Sequence, residues 1–586
     1  MIENQDATDD VGGILVFMDC ESSDVVTTVY KEEIFMEYRS WHDHYDYDVP
    51  ISMRYPRILA HDVLQIPANA CPDRTAILYE GRTITFWELR QMVLRMANAL
   101  KHFGVEKGER VGLHLPTCPQ YVIAYRAVLS LGAIIVNLNP IYPAEELLHI
   151  ARQTNITTLI TIDKALPQVR LLCNEFEISR VIVSKTNDFT GREKKAEIAD
   201  LDPGWHSFMD ILESCTDTKR IQVSIAPEDP AVIQFTGGTT GIPKGAILTH
   251  RNIVTTIVQL STWYLPRVKL SPPENRSTLI ALPIYHVYGN LASNWALYNC
   301  ALQILVPQFE INKVLDVINS VPEVTYFPAV PTMLSAIVNH PKAKELEIGK
   351  KIGFVNCGAA PCPLELIEQV KDAGIYLTEG WAMSETSCVG TGNPIRGMKK
   401  AGSIGFPFID TDIKLVDLDD GDKEVPQGEP GEMLIKGPQI MKGYWENPEE
   451  TANQLRDGWL STGDIAIMDK DGYLFIVDRK KDMIIAGGFN IYPREIDEIL
   501  HQHPKVKMAI SVGIPDKYRG ETVKAYVVLK EGEKASQEEI IAFCKEKLTA
   551  YKVPKIVEFR DSLPQSSVGK ILRKTLRDEE MAKIEH

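Results

Sequence analysis

Cysteine is scarce in this sequence, and its spacing is as informative as its number. Ten cysteines occur among 586 residues, and no two of them form a Cys-X-X-Cys pair. A disulfide framework needs a high density of cysteines and a structural zinc site needs closely spaced ones, so neither is expected here. A reducing cytoplasm is therefore the expected location.

Positive charge is also in short supply. The sequence has 63 Lys and Arg residues against 79 Asp and Glu residues, which gives a formal net charge of −16. A surface that binds nucleic acid needs an excess of basic side chains, so general nucleic-acid binding is excluded as a function class. A single nucleotide stays compatible with this charge, because a few local donors suffice to hold it.

Long apolar runs are missing as well. The longest, residues 121–139, contains Arg126 and Gly132 and predicts a helix, a turn and a strand rather than a membrane span. The segment 12–20 is too short for a signal peptide and has acidic flanks. No transmembrane segment is expected, whereas peripheral association with a membrane and formation of a homo-oligomer both remain open.

The length of the chain calls for more than one domain. Residues 75–86 predict a hairpin, and Thr85 with Glu88 forms a capping box for the helix that follows. Short buried strands then alternate with helices, which indicates an α/β fold with parallel sheets.

The pattern of strands and helices changes after about residue 478, where we place a domain boundary. Residues 1–35 are acidic and weakly patterned, and we expect an N-terminal extension there.

A glycine- and threonine-rich stretch, "IQFTGGTTGIPKGAILTH" at 233–250, follows the predicted strand 231–235. Its backbone amides, hydroxyls and lysine suit a polyphosphate. It is not the usual P-loop, because Gly245 follows Lys244 where that motif has Ser or Thr. A glycine-rich turn with a solvated lysine is the alternative, and 252–260 fits either a strand or a helix.

Six further motifs follow this loop in order. They are "LPIYHVYG" from 282, "NCGAAP" from 356, "GWAMSET" from 380, "WLSTGD" from 459, "DRKKDMIIAGGFNIYPREIDE" from 478 and "LPQSSVGKILR" from 563. With the loop, they resemble the adenylate-forming enzymes, which include acyl-CoA synthetases, luciferases and peptide-synthetase adenylation domains. The resemblance covers nearly all of the chain after about residue 40, and it is strongest to bacterial and archaeal long-chain fatty acid–CoA ligases.

The resemblance implies a two-domain architecture and a two-step reaction. A large N-terminal domain of mixed sheets with packed helices (36–478) would hold ATP and the acid, and a hinge (479–482) would lead to a small mobile α+β domain (483–586). ATP would convert a carboxylic acid to acyl-AMP and pyrophosphate, and CoA would then accept the acyl group. Long-chain fatty acids are the expected substrates, and medium-chain or aryl acids are the alternatives.

Roles follow from the resemblance, residue by residue. Lys570 and Lys244 would stabilise charge during adenylation, Glu385 and Thr236 would ligate Mg²⁺, and His286 would border the acyl site or be a neutral core histidine. The ATP- and AMP-binding set comprises Thr236, Gly237, Gly238, Thr239, Thr240, Gly241, Lys244, Gly358, Ala359, Ala360, Trp381, Ser384, Glu385, Asp464, Arg479 and Lys570. Gly487, Gly488 and Phe489 would face CoA, and Lys481 would be the hinge residue.

Three residues depart from the family's usual pattern. Trp381 stands where Tyr is usual, Ala382 where Gly is usual, and Ser384 where Thr is usual.

Two other functions remain open: an acyl-AMP ligase that loads a carrier protein or a luciferase-like oxygenase, and a non-catalytic nucleotide-binding regulator. Because Glu385, Asp464, Arg479 and Lys570 are all present, the sequence favours the enzyme.

Overall fold

The computed structural model describes residues 39–190, 201–236, 243–566 and 570–585. The chain divides into two units after Arg39, and the unit Ser40–His586 carries the fold. Three of the sequence predictions fall outside the described residues. They are the extension at 1–35, the loop residues Gly237, Gly238, Thr239, Thr240 and Gly241, and the part of the last motif at 567–569.

The strands fall into a long series before residue 480 and a short one after it. In chain order they are β1 (Thr75–Tyr79), β2 (Arg82–Thr85), β3 (Arg110–His114), β4 (Ile134–Asn137), β5 (Ile156–Ile162), β6 (Arg180–Ser184), β7 (His206–Ser207), β8 (Pro230–Thr236), β9 (Lys244–Thr249), β10 (Ser277–Ile280), β11 (Leu302–Leu305), β12 (Val324–Ala329), β13 (Ile352–Cys357), β14 (Leu377–Trp381), β15 (Thr391–Gly392), β16 (Phe406–Pro407), β17 (Asp412–Val416), β18 (Gly431–Lys436), β19 (Gly443–Tyr444), β20 (Leu455–Arg456), β21 (Trp459–Met468), β22 (Leu474–Arg479), β23 (Ile484–Ala486), β24 (Phe489–Ile491), β25 (Val506–Asp516), β26 (Gly520–Leu529) and β27 (Ile556–Phe559).

The helices cover these sheets. They are α1 (Gln65–Ala70), α2 (Phe86–His102), α3 (Pro119–Ser130), α4 (Ala144–Thr154), α5 (Leu166–Glu175), α6 (Phe208–Ser214), α7 (His250–Val268), α8 (Val287–Tyr298), α9 (Ile311–Ser320), α10 (Pro331–Val338), α11 (Pro341–Glu345), α12 (Ile348–Lys351), α13 (Leu364–Asp372), α14 (Pro448–Gln454), α15 (Pro493–His501), α16 (Gln537–Lys547) and α17 (Arg573–Glu585). None of the described helices is both long enough and apolar enough to cross a membrane.

Three sheets build the large domain within the described residues. A nine-stranded sheet has the order β16-β15-β14-β13-β12-β10-β11-β1-β2, and an eight-stranded sheet has the order β19-β9-β8-β4-β3-β5-β6-β7. A five-stranded sheet runs β17-β18-β21-β20, with β22 beside β21. In the nine-stranded sheet, neighbouring strands are parallel along the run β14-β13-β12-β10-β11-β1. In the eight-stranded sheet, they are parallel along the run β8-β4-β3-β5-β6-β7. The predicted α/β class is confirmed.

Local sequence signals set several of these elements. The Thr85 side chain accepts a hydrogen bond from the Glu88 amide (3.1 Å), and the Glu88 carboxylate accepts one from the Thr85 amide (2.8 Å). The predicted capping box of α2 is therefore confirmed. The hairpin turn places Glu80 at φ 47° and Gly81 at φ 84°, the left-handed angles of a tight β-hairpin.

The ambiguous segment 252–260 is helical and lies within α7. Thr249 caps this helix, and its hydroxyl accepts a hydrogen bond from the Asn252 amide (3.1 Å). Periodicity could not separate helix from strand here because nearly every residue of the segment is buried, on all faces of the helix.

The small domain has a sheet and a core of its own. Its described strands run β24-β23-β26-β25, with β27 beside β26. A hydrophobic cluster that includes Ile491, Ile496 and Val527 is composed entirely of residues after 480. β22 ends at Arg479 and β23 begins at Ile484, so the segment predicted to be the hinge leads from one sheet to the other, and its role as a hinge stays a prediction.

Candidate active site

The base of the glycine-rich loop lies between two paired strands. Thr236 ends β8 and Lys244 begins β9, and the two are register partners. The Thr236 hydroxyl donates a hydrogen bond to the Lys244 carbonyl oxygen (3.4 Å). The loop therefore leaves and re-enters the eight-stranded sheet at one point, with the lysine at its closing end.

The Lys244 ammonium forms an ion pair with Glu450 of α14. It also lies 5.7 Å from the centre of the Tyr444 ring. Neither partner was predicted from the sequence, although both lie in one short stretch, "GYWENPEET", after β18. A phosphate that binds Lys244 has to compete with this carboxylate.

Glu385 is a buried carboxylate, not a surface one. It lies in a short 3₁₀ turn, Ser384–Thr386, and is 6% exposed. Burial raises its pKa, while the Tyr444 hydrogen bond and the charges of Arg479 and Lys244 act in the opposite direction. The Tyr444 hydroxyl donates to its Oε1 atom (2.9 Å), so Tyr444 touches both Glu385 and Lys244.

The oxygens of Glu385 and Thr236 suit a hard cation such as Mg²⁺. In the described part of the chain, no group of three or more His, Cys, Asp or Glu residues could hold a metal ion. Where Mg²⁺ is bound together with nucleotide phosphates, one or two protein oxygens commonly suffice.

Asp464 and Arg479 face each other across the pair β21 and β22, where they are register partners. The Arg479 Nε atom lies 3.3 Å from Asp464 Oδ1. The indole N–H of Trp381 donates to Asp464 Oδ2 (2.7 Å). Both oxygens of this nearly buried carboxylate thus have a protein partner, and each retains a lone pair for a further donor.

Trp381, which stands where the family usually has Tyr, makes specific contacts in the structure. Its indole N–H reaches Asp464 as a hydrogen-bond donor. Its ring lies against Gly390, where an added Cβ would come within 2.7 Å of two ring carbons. Trp381 is therefore held from two sides at the end of β14, and its predicted stacking on adenine stays a prediction.

The predicted adenine loop starts where β13 ends. Gly358 donates its amide to the Ala329 carbonyl oxygen (3.1 Å), and Ala359 takes the left-handed angle φ 66°. Tyr288 places its hydroxyl 2.7 Å from Asn356 Oδ1, just before the loop. The backbone at Ala359 is therefore in a conformation that non-glycine residues rarely adopt, which marks a specialised turn.

His286 caps the N-terminus of α8. Its Nδ1 atom accepts a hydrogen bond from the Tyr288 amide (3.3 Å). Burial and, to a smaller extent, the positive charge of Lys570 lower the pKa of His286 to about 4. His286 is therefore neutral at pH 7 with its proton on Nε2, and it combines a capping role with a position next to Lys570.

Lys570 reaches the site from the small domain. Burial lowers its pKa to about 7, the charges of Arg479 and Lys481 lower it as well, and those of Asp464 and Asp482 raise it. Its backbone amide is fixed by the Ser566 hydroxyl (3.2 Å). The structure thus brings Lys570 into the electrostatic environment of Asp464, Arg479 and His286, residues that are far apart in the sequence.

The predicted CoA-side residues lie in the small-domain sheet. Gly487 (φ 60°) and Gly488 (φ 82°) form the turn between β23 and β24, and a Cβ at either position would meet nothing within 4 Å. Phe489 is 54% exposed and stacks on Tyr551, with ring centres 4.6 Å apart. This open turn suits the close approach of a ligand to the backbone.

Gln234 is a further residue that sequence reasoning missed. It is buried in β8, and its Nε2 atom donates to the carbonyl oxygen of Tyr285, the neighbour of His286 (3.2 Å). Its Oε1 atom accepts a hydrogen bond from Asn137 of β4 (2.9 Å). This side chain ties the strand that leads into the glycine-rich loop to the segment that carries His286. A polar residue in an otherwise apolar buried strand was the only signal.

Comparisons with known proteins identify the family of this chain. Residues 64–445 match the family described as AMP-binding enzyme, and 495–570 match the AMP-binding enzyme C-terminal domain. A long-chain-fatty-acid–CoA ligase of Bacillus subtilis (strain 168) is 39% identical over 556 residues, which are 92% of this chain and 98% of the relative.

Two solved structures share the fold over most of their length. ATP-bound MatB from Rhodopseudomonas palustris has a TM-score of 0.79 and 27% identity, covering 89% of this chain and 99% of that one. O-succinylbenzoate CoA synthetase (MenE) from Bacillus subtilis, in complex with ATP and a magnesium ion, has a TM-score of 0.74 and 29% identity, covering 88% and 99%. The chain belongs to the AMP-binding enzyme family.

Proposed function

We propose that the protein is an AMP-forming acyl-CoA ligase whose acid substrate is a long-chain fatty acid. It converts the acid and ATP to acyl-AMP and pyrophosphate, and then passes the acyl group to CoA with release of AMP. The observation that carries the proposal is the position of Lys570, a residue of the small domain, within electrostatic range of Asp464, Arg479 and His286. The Bacillus subtilis ligase supports the choice of acid.

Adenylation brings a carboxylate to the α-phosphate of ATP, so the site has to offset negative charge. Lys244 exchanges Glu450 for the β- and γ-phosphates, and Lys570 approaches the α-phosphate and the carboxylate. A bound anion favours the protonated form of Lys570, whose pKa is otherwise held near 7. The charge that the reaction requires is therefore reinforced when the substrates arrive.

Asp464 accepts hydrogen bonds from the ribose hydroxyls, while Arg479 and Trp381 fix the orientation of its carboxylate. Glu385 and Thr236 would hold Mg²⁺, which neutralises phosphate charge when it is bound. Neutral His286 adds no charge to the acid side of the site.

Thioester formation needs Lys570 to leave and a CoA path to open. Rotation about Lys481 withdraws Lys570 with the small domain and presents the Gly487–Gly488 turn. The turn is open in the structure, which supports this role, since pantetheine has to pass close to the backbone.

The test is pyrophosphate release with ATP and Mg²⁺ across a series of carboxylic acids, with and without CoA. We expect a CoA-dependent maximum near palmitate, together with formation of the acyl-CoA. A maximum with a short, medium or aromatic acid would retain the reaction and replace the substrate. The similarity to o-succinylbenzoate CoA synthetase makes an aryl acid the second candidate. Absence of turnover with every acid, despite ATP binding, would overturn the proposal.

A further inference from the structure

Asp478 is a buried carboxylate at the junction between the two domains. It is the penultimate residue of β22 and is 2% exposed. Its Oδ1 atom lies 3.3 Å from Nη1 of Arg573, and its Oδ2 atom accepts a hydrogen bond from the Arg494 amide (2.7 Å). Both partners belong to the small domain, so Asp478 is a large-domain residue held by the small domain.

Arg573 has further partners, all of them after Lys481 in the chain. Its guanidinium forms an ion pair with Asp497 of α15 and donates to the Ser511 carbonyl oxygen of β25 (3.2 Å). It also lies 3.7 Å from Asp482. Of the three carboxylates around Arg573, only Asp478 precedes Lys481 in the chain.

A rotation about Lys481 therefore acts selectively on this cluster. Arg573, Asp497 and Ser511 move together, since all three lie in the small domain. The contacts of Asp478 with Arg573 and with the Arg494 amide have to change. A buried carboxylate that loses its cation and an amide donor is destabilised, so these contacts favour the orientation in which they exist.

That orientation is also the one that places Lys570 in the site. Lys570 precedes Arg573 by three residues, at the start of the segment that leads into α17. Anchoring Arg573 to Asp478 fixes this segment against the large domain. The Arg494 guanidinium adds a second link by donating to the Ile476 carbonyl oxygen of β22 (2.7 Å).

We infer that Asp478 is a positioning residue which, through Arg573, selects the domain orientation that carries Lys570 into the adenylation site. The inference rests on the proposed function, because it assumes that the domain rotates about Lys481 between the two half-reactions. Asp478 touches neither ATP nor the acid in this account. It acts on adenylation only through the small domain.

The test compares Asp478→Asn with Asp497→Asn. Both substitutions remove one carboxylate from Arg573 and keep the shape of the side chain, but only the first breaks a contact across the hinge. We expect Asp478→Asn to slow single-turnover pyrophosphate release about tenfold, which corresponds to about 1.4 kcal/mol. Thioester formation from supplied acyl-AMP should stay within about twofold of the unsubstituted protein. Asp497→Asn should leave the ratio of the two rates unchanged.

Trypsin provides a readout that does not depend on activity. The hinge contains Arg479, Lys480 and Lys481, and cleavage there can be located by mass spectrometry. We expect faster hinge cleavage in Asp478→Asn than in Asp497→Asn, without any substrate. Should the unsubstituted protein turn over no acid, the proposed function fails, while the cleavage rates still test whether the contact of Asp478 with Arg573 holds the two domains together.

Equal loss of both half-reactions in Asp478→Asn, or an unchanged cleavage rate at the hinge, would overturn the inference. Thermal unfolding shows whether the variant folds. If it does not, Arg573→Lys serves as the second variant, because it keeps the charge but shortens the reach toward Asp478. It should shift both readouts in the same direction by a smaller factor, and failure to do so would equally overturn the inference.

Discussion

The indole nitrogen of Trp381 lies 2.7 Å from the Oδ2 atom of Asp464 and donates a hydrogen bond to it. The aromatic residue of one sheet is thereby joined to the carboxylate expected to bind the ribose, which belongs to another sheet. A tyrosine at this position would place its O–H donor at a different distance and angle. The orientation of Asp464 therefore depends on the presence of tryptophan, rather than the usual tyrosine, at position 381.

Trp381→Phe should therefore weaken nucleotide binding selectively. The substitution leaves one oxygen of a nearly buried carboxylate without its donor, a loss of about 1–3 kcal/mol. We expect the KM for ATP to rise about tenfold. The KM for the acid should change little, and steady-state kinetics with each substrate varied in turn checks both values. A proportionate rise in both KM values would show instead that Trp381 supports the whole site.

Glu450→Gln should strengthen ATP binding. The substitution removes the carboxylate that occupies Lys244 and leaves the lysine available to phosphate. The pair is partly exposed, with 28% and 23% of the two side chains accessible, so we expect a modest decrease in the KM for ATP, of about two- to threefold. Glu449→Gln, an exposed neighbour on α14, is the matched control and should have no effect. A higher KM for ATP in Glu450→Gln would mean that Glu450 orients Lys244 rather than competing for it.

Lys570→Ala should nearly abolish formation of acyl-AMP while sparing the second half-reaction. In the proposed mechanism the side chain supplies charge to adenylation, and the rotated enzyme no longer uses it. Pyrophosphate release and acyl transfer from supplied acyl-AMP, measured separately, give the two rates. Equal loss of both would refute the assignment of Lys570 to adenylation.

The pH dependence of adenylation should report the pKa of Lys570. The surroundings of Lys570 lower this pKa to about 7, and in the proposed mechanism the protonated form is the active one. The kcat/KM for pyrophosphate release should therefore decrease above about pH 7, as the ammonium loses its proton. His286, with a pKa of about 4, remains neutral throughout this range. In Lys570→Arg the decrease should disappear, because a guanidinium remains charged. A decrease that persists in this variant would assign the titration to another group.

Lys481→Pro should impair thioester formation more than adenylation. Proline fixes the backbone angle φ at the predicted hinge and restricts the rotation there. The starting orientation, with Lys570 in the site, is the one that the structure already has. Rapid-quench measurement of the two half-reactions distinguishes the effects. Loss of adenylation alone would place the hinge elsewhere.

The sequence alone predicted structural features correctly where the pattern that indicates them is local or repeats along the chain. The capping box is local, because Thr85 and Glu88 are only three positions apart in the chain. The parallel sheets follow from the repeated alternation of short strands with helices. The register of Asp464 with Arg479 joins two motifs that the resemblance had already paired in function.

The partners that sequence reasoning missed are distant in the chain. Glu450 lies 206 residues from Lys244, and Tyr444 lies 59 residues from Glu385. Their pairing depends on how the short strand β19 packs against β9. No periodicity encodes such a contact. The same holds for Asp478 and Arg573, which are 95 residues apart and meet only because two domains dock.

The parallel pairing of β1 with β11 has a consequence for synthesis on the ribosome. Ile77 of β1 cannot pair with its register partner Gln303 of β11 until Gln303 has been synthesised. At about 5–20 residues per second, the more than two hundred residues between them take on the order of ten to forty seconds to emerge. During that interval the first hairpin exposes one edge of β1, and an exposed edge is a template for unwanted strand pairing. The early hairpin therefore needs protection on the nascent chain before the large domain closes.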